Sequence, residues 1–73
     1  MKTRDIVKRI RQLGGRQLRR GSSGHGVFVC SCGKHTTSIA VQRLERQVRI
    51  GTLKHIEADL APCWGARWLR GPS

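Results

Sequence analysis

The sequence predicts one small α+β domain in which a helix is followed by three strands and a second helix. Apolar residues recur at helical spacing near both ends of the chain, and β-forming residues separated by glycine-containing turns occupy the middle. At 73 residues, the chain is near the lower size at which one apolar core stabilises a fold. We therefore expect a three-stranded antiparallel sheet with both helices on one face and water on the other.

The first helix is expected to start at Thr3, a suitable N-cap residue, with Asp5 in its first turn. Gly14-Gly15 should end it. Lys8 lies on its polar face, where it either contacts a phosphate backbone or keeps the helix in solution. The apolar face at helical spacing consists of Ile6, Val7, Ile10 and Leu13.

Three short strands should form a meander between the helices. Residues 16–20 predict a basic edge strand with Leu18 as its apolar anchor, and residues 25–32 are rich in β formers. Apolar and polar residues alternate over 35–41, which is typical of a half-buried strand. The predicted connecting turns are Gly21-Ser22-Ser23-Gly24 and Gly33-Lys34.

The polar segment 42–49 predicts a loop, after which Gly51-Thr52 opens the second helix. Leu53, Ile56 and Leu60 form its apolar stripe, and Pro62 is expected to end it.

Residues 1–62 are expected to form the domain and residues 63–73 a basic extension that contains Trp64 and Trp68. These indoles either stack on unpaired bases or cover the core. Their spacing in so short a chain favours the core.

The charge predicts a polyanionic partner. Fifteen Lys and Arg residues against four Asp and Glu give a net charge of +11, spread along the chain. Such a surface binds nucleic acid through its phosphates. No apolar run is long enough to span a bilayer and no signal peptide is evident, so we expect a cytoplasmic protein that does not bind membranes. Three cysteines, an odd number, fit a reducing compartment.

Cys30-Ser31-Cys32, with His25 and His35 nearby, has enough soft ligands for zinc. The spacing argues against a zinc site, because structural sites favour Cys pairs separated by two to four residues and a second pair is missing. We therefore expect no metal and no cofactor. Cys63 is interpreted as a small packing residue.

His25 is the candidate catalytic residue. It follows a Gly-Ser turn at the start of an apolar strand, and imidazole can take up and return a proton near neutral pH. The alternative is that His25 is a polar residue whose hydrogen bonds are satisfied by the backbone.

Several segments together resemble the HicA family of mRNA interferase toxins over residues 1–60. They are the opening Met1 to Lys8, Leu13-Gly14, the Gly-Ser turn followed by His25-x-x-Phe28, and Val48-x-x-Gly51-Thr52-Leu53-x-x-Ile56. The resemblance implies a fold like that of double-stranded-RNA-binding domains, ribosome-independent cleavage of messenger RNA, and neutralisation by a HicB antitoxin. It also implies that the family's active-site histidine falls on His25. Here Ser23-Gly24 lengthen the turn, and Gly26 stands where many relatives carry a second histidine.

Metal-independent RNA cleavage requires a base for the ribose 2′-OH and charge stabilisation at the phosphate. His25 is the expected base, and the general acid is not identified. The expected phosphate-binding groups are the cations of Lys8, Arg19, Arg20 and Lys34 and the backbone around Ser22, Ser23 and Gly24. DNA would escape such cleavage because it lacks the 2′-OH. We also expect no DNA binding of its own.

Two other functions remain open from the sequence. One is a non-catalytic RNA-binding module of the same fold, in which His25 is structural or contacts sugar and phosphate. The other is a zinc-stabilised nucleic-acid-binding protein.

Overall fold

The computed structural model describes residues 1–21 and 24–70. Its elements are α1 (Thr3–Gln12), β1 (Arg16–Arg20), β2 (His25–Val29), β3 (Thr36–Ala40) and α2 (Ile50–Trp64). The strands form one antiparallel sheet in the order β1-β2-β3. The predicted α+β architecture is therefore confirmed.

The apolar core lies between the sheet and the two helices. The sheet contributes Phe28 and Ile39 to this core, and α1 contributes Ile6 and Ile10. Thr37, which pairs with Phe28, is also buried and donates its hydroxyl to Asp59 of α2 over 2.8 Å. The stripe of α2 that completes the core is the predicted one, namely Leu53, Ile56 and Leu60.

The strand register assigns His25 to the opposite face of the sheet. Successive side chains of a strand alternate between faces, so His25 and Val27 lie on the side away from Phe28. Val27 pairs with Ser38 on one side and with Arg19 on the other. A basic side chain therefore lies on the same face as the candidate catalytic histidine.

Helix α1 starts one residue earlier than predicted. Its N-cap is Lys2, not Thr3, and the Lys2 backbone N–H donates to the carboxylate of Asp5 over 3.1 Å. The Thr3 backbone N–H instead donates to the carbonyl of Arg46, and Thr3 is buried. The predicted end is confirmed, because the helix stops before Gly14, which has a φ of +89°.

Leu18 is not an apolar anchor, contrary to the prediction. The β1–β2 register shifts between Gln17 and Arg19, so Leu18 has no partner across the ladder and its side chain is exposed. A bulge of this kind bends the strand. The expected basic edge strand itself is present, and all five of its residues are exposed.

The second strand is shorter than predicted because residues 30–33 form a turn. The Gly33 backbone N–H donates to the carbonyl of Cys30 over 2.9 Å, and Gly33 has a φ of +77°. Cys30 and Cys32 therefore belong to a turn and not to an extended strand. The predicted reversal of the chain at Gly33-Lys34 is confirmed.

Pro62 does not end α2, which continues to Trp64. Proline removes one backbone donor, but the next turn still closes through a 2.7 Å hydrogen bond from the Gly65 N–H to the Ala61 carbonyl. Cys63 and Trp64 also pack against the core.

The chain after α2 returns to the core. Trp68 and Leu69 are both buried, and the Trp64 and Trp68 rings meet edge to face with centroids 5.0 Å apart. Arg9 donates its Nε–H to the Trp68 carbonyl over 3.0 Å, which ties this segment to α1. The predicted core-covering role of the tryptophans is confirmed. Within residues 1–21 and 24–70, neither helix has the length and apolar character needed to cross a membrane.

Candidate active site and nucleic-acid interface

His25 is exposed at the first position of β2, where the sheet register pairs it with Ala40. Its carbonyl accepts the Gly21 backbone N–H over 2.8 Å, which closes the β1–β2 hairpin. Gly24, just before it, has a φ of +78°, and a Cβ atom there would lie 2.7 Å from Oε1 of Gln42. The backbone that presents His25 is held on both sides by hydrogen bonds, because the Gly24 carbonyl accepts the Val41 N–H over 3.1 Å.

His25 lines a cleft of about 290 Å³ along the outer edge of β3. A second wall comes from the loop before α2 and from the first two turns of that helix. We call this space the His25 cleft. Its polar lining consists of Thr3, His25, Ser38, Arg46, Gln47, Arg49 and Thr52, and its apolar lining of Ile39, Ala40, Val48 and Ile56.

Arg46 is positioned by the N-terminus of the chain. Its carbonyl accepts the Thr3 backbone N–H over 3.0 Å, the adjacent Gln47 forms an antiparallel bridge with Lys2, and the Val48 N–H donates to the Met1 carbonyl over 2.9 Å. These backbone contacts hold the predicted loop 42–49 against α1. Arg46 is therefore held at the cleft by backbone hydrogen bonds, although it lies in a loop.

The start of α2 makes the His25 cleft favourable for an anion. The first turn of this helix carries no acidic residue, and its N-cap residue, Arg49, makes no capping side-chain hydrogen bond. A helix N-terminus presents partly positive backbone N–H groups. Arg46 and Arg49 add two full charges to the same wall. A phosphate in the cleft would therefore meet several fixed donors.

Three of the predicted RNA-binding residues lie near His25. Arg20 and Gly24 line a second depression that also includes His25, and Arg19 lies on the open sheet face beside Val27. Ser22 and Ser23 lie outside the residues that the structure describes. The predicted anion-binding turn is thus represented here by Gly21 and Gly24 alone.

Lys34 and Lys8 do not belong to the His25 cleft. Lys34 lies in the turn after β2, at the other end of the strand from His25. The turn starts at Cys30, five residue positions after His25, and five positions of extended chain span about 16 Å. Lys8 is exposed on α1 beside a separate depression that also includes Arg4 and Arg11. Neither lysine is among the residues that line the His25 cleft.

Cys63 lies against the two cysteines of the β2–β3 turn. The Sγ atoms of Cys32 and Cys63 are 3.1 Å apart, those of Cys30 and Cys32 are 2.9 Å apart, and all three lie within 4.8 Å of one another. We call Cys30, Cys32 and Cys63 the cysteine cluster. Cys63 also packs against the core, as its interpretation as a packing residue requires.

The cysteine cluster changes the acidity of its thiols. Burial raises the pKa of Cys30, but hydrogen bonds from Cys32 and Cys63 outweigh this and bring its pKa from an ordinary 9.0 to about 6. The same hydrogen bond with Cys30 raises the pKa of Cys32. The pKa of Cys30 is therefore lower than that of Cys32.

The two other histidines lie outside the His25 cleft. His55 is exposed on α2, with its Nε2 atom 3.6 Å from a carboxylate oxygen of Asp59. His35 is half-buried just before β3, and its carbonyl accepts the Cys30 backbone N–H over 3.1 Å.

Sequence reasoning did not assign Arg46, Arg49 and Thr52 to the site. The available signal was the run of arginines in the polar segment 42–49, which by itself is typical of a solvated loop. Comparisons with protein-family models, with curated proteins and with solved structures found no match. Function is therefore inferred from the chemistry of the His25 cleft.

Proposed function

We propose that this protein is an endoribonuclease that cleaves messenger RNA at the His25 cleft without a metal ion in the reaction. One observation carries the proposal: His25 lines the same cleft as two arginines and the start of α2. This arrangement brings a group able to move a proton next to groups able to hold a phosphate.

In the proposed reaction, neutral His25 takes the proton of a ribose 2′-OH as that oxygen attacks the adjacent phosphorus. The bond to the 5′-oxygen breaks, leaving a 2′,3′-cyclic phosphate and a 5′-hydroxyl. Arg46, Arg49 and the first N–H groups of α2 stabilise the charge that develops on the phosphate oxygens. The described lining of the cleft contains no carboxylate, so the leaving oxygen is protonated by the imidazolium of His25 or by water.

The resemblance to HicA toxins supports this proposal, because its motifs include His25 and Thr52, which line the same cleft. On this basis the protein is the toxin of a two-component system in the cytoplasm, and a HicB-like antitoxin is its partner. A net charge of +11 favours an acidic partner. Copurification, followed by hydrogen exchange on the complex, should show protection at the His25 cleft.

The deciding experiment compares His25→Ala with His55→Ala. His55 is exposed on α2 and lines neither His25 depression, so it is the matched control. Purified His25→Ala should cleave RNA at least about 100-fold more slowly, as expected for loss of a general base. Its urea denaturation should stay close to that of the unchanged protein. His55→Ala should keep full activity. A folded His25→Ala variant with undiminished cleavage would contradict the proposal.

The second candidate function is a non-catalytic RNA-binding module. The observation that favours it is strand β1, whose exposed Arg16, Arg19 and Arg20 can bind phosphates without any chemistry at His25. In that case, RNA binds to the unchanged protein with a steep salt dependence, but no 2′,3′-cyclic phosphate ends appear.

A further inference from the structure

The cysteine cluster joins two parts of the chain that are distant in sequence. Cys30 and Cys32 belong to the turn after β2, and Cys63 belongs to the last turn of α2. Ser31 adds to this junction, because its hydroxyl accepts the indole N–H of Trp64 over 3.0 Å. Three sulfur atoms from two elements therefore converge at one point on the edge of the core.

The spacing of the sulfurs suits a tetrahedral thiolate site. Zinc binds cysteine sulfur at about 2.3 Å, which places two sulfurs of one tetrahedral site roughly 3.8 Å apart. The Cys30–Cys32 and Cys32–Cys63 sulfur separations, 2.9 and 3.1 Å, are shorter than that value. The Cys30–Cys63 separation is no longer than 4.8 Å. Separations need to change by less than about 1 Å for all three sulfurs to ligate one ion.

The surroundings of the sulfurs also suit thiolate ligands. The Ser31 hydroxyl hydrogen-bonds to the sulfur of Cys63 over 3.8 Å. Hydrogen bonds to sulfurs that ligate a metal orient them and stabilise their negative charge. Among the described residues, no histidine or carboxylate joins the three sulfurs within 4.8 Å, and Cys32 is exposed. The fourth coordination position therefore faces solvent.

We propose that Cys30, Cys32 and Cys63 bind one Zn²⁺ ion, with water in the fourth position, and that this ion fastens the β2–β3 turn to the end of α2. Thiolates select zinc over magnesium or calcium because they are soft ligands. The cluster lies at the end of β2 away from His25, so the ion takes no part in chemistry at His25. Such an ion is a common means of stabilising a chain of this size.

This proposal replaces the expectation of a metal-free protein. That expectation used the spacing of Cys30 and Cys32 and the lack of a second pair. The fold supplies the third sulfur from Cys63, which lies 31 positions after Cys32 in the chain. The spacing of neighbouring cysteines could not predict this contact.

The experiment is metal analysis of protein expressed with zinc and purified without chelator. We expect about one zinc ion per chain. Replacement by cobalt should give the thiolate-to-cobalt charge-transfer absorption and the intense visible bands of a tetrahedral site. Chelation should lower the Tm by more than about 10 °C.

Cys32→Ala is the most informative variant, because Cys32 is exposed and its loss leaves no core cavity. It should lose zinc and the cobalt spectrum while remaining folded by circular dichroism. His55→Ala is the matched control and should keep both. Full zinc content in Cys32→Ala would overturn the proposal. Zinc-free protein that takes up neither zinc nor cobalt would also overturn the proposal. The same holds if a thiol count shows that two of the cysteines form a disulfide. Neither result bears on cleavage at His25, which is measured separately.

Discussion

Trp68 donates its indole N–H to the backbone carbonyl of Glu57 over 2.8 Å, which fastens the chain after α2 back onto that helix. The carboxylate of Glu57 accepts the backbone N–H of Arg70 over 3.0 Å and forms a 2.9 Å ion pair with its guanidinium. Trp68 and Glu57 are both buried. The C-terminal segment is therefore part of the folded unit, and its removal should affect stability before it affects function.

Trp68→Ala should destabilise the protein by about 3–5 kcal/mol, because it removes a large buried side chain and leaves a cavity. Urea denaturation followed by circular dichroism measures this loss. Arg67→Ala, at an exposed neighbouring position, is the control and should change stability by less than about 0.5 kcal/mol. Similar effects for the two variants would show that the Trp68 contacts do not form in solution.

Stability should fall as the pH drops below about 4.5, the ordinary pKa of glutamate. Burial raises the pKa of Glu57, but the hydrogen bonds and charge of Arg70 outweigh burial and lower it. A carboxyl whose pKa is lower in the folded than in the unfolded state stabilises the fold above its unfolded pKa. That contribution is lost as the pH falls from 4.5 through the folded value.

A pH series of urea denaturation curves measures this effect. Glu57→Gln should remove a large part of the acid-dependent loss, whereas Glu45→Gln should leave it in place, because Glu45 forms only an exposed ion pair with Arg4. An unchanged pH dependence in Glu57→Gln would show that other carboxyl groups are responsible.

Two glycine substitutions should have opposite effects. A Cβ atom at Gly15 would lie 2.6 Å from Cγ2 of Ile10 and 2.8 Å from Cη2 of Trp64, so Gly15→Ala should cost about 1–3 kcal/mol. At Gly51, in the first turn of α2, nothing lies within 4 Å of such an atom. Gly51→Ala should stabilise the protein by roughly 0.5 kcal/mol, since alanine is the better helix former. Thermal denaturation of both variants checks the pair, and a stabilised Gly15→Ala would contradict the observed packing.

Arg46→Ala and Arg49→Ala should each reduce RNA cleavage by about 10- to 1,000-fold, because the cleft loses a fixed cation at the reacting phosphate. Lys34→Ala removes the same charge at the far end of β2 and is the matched control. It should weaken RNA binding with little change in the rate measured at saturating RNA. Equal rate losses in all three variants would indicate a general charge effect without a defined cleft.

Much of the fold followed from local patterns. The helical spacing of Ile6 and Ile10 and the alternation around Thr37 and Ile39 report which side of each element is buried, and both were confirmed. Leu18 was misassigned because a β-bulge removed it from the ladder. Pro62 was misassigned because local preference for a helix end was outweighed by packing of the following turn.

The sequence by itself determined the order of the elements, their buried faces, the excess of positive charge and His25 as the candidate catalytic residue. These properties depend on neighbouring residues or on composition, so they can be read along the chain. Only the tertiary structure decided that Arg46 lines the same cleft as His25 and that Cys63 meets Cys32. Both relationships depend on where the loop before α2 and the end of α2 pack. That packing is set by backbone hydrogen bonds and core contacts between segments that are distant in sequence. Such contacts produce no periodic pattern of residues from which they could be predicted.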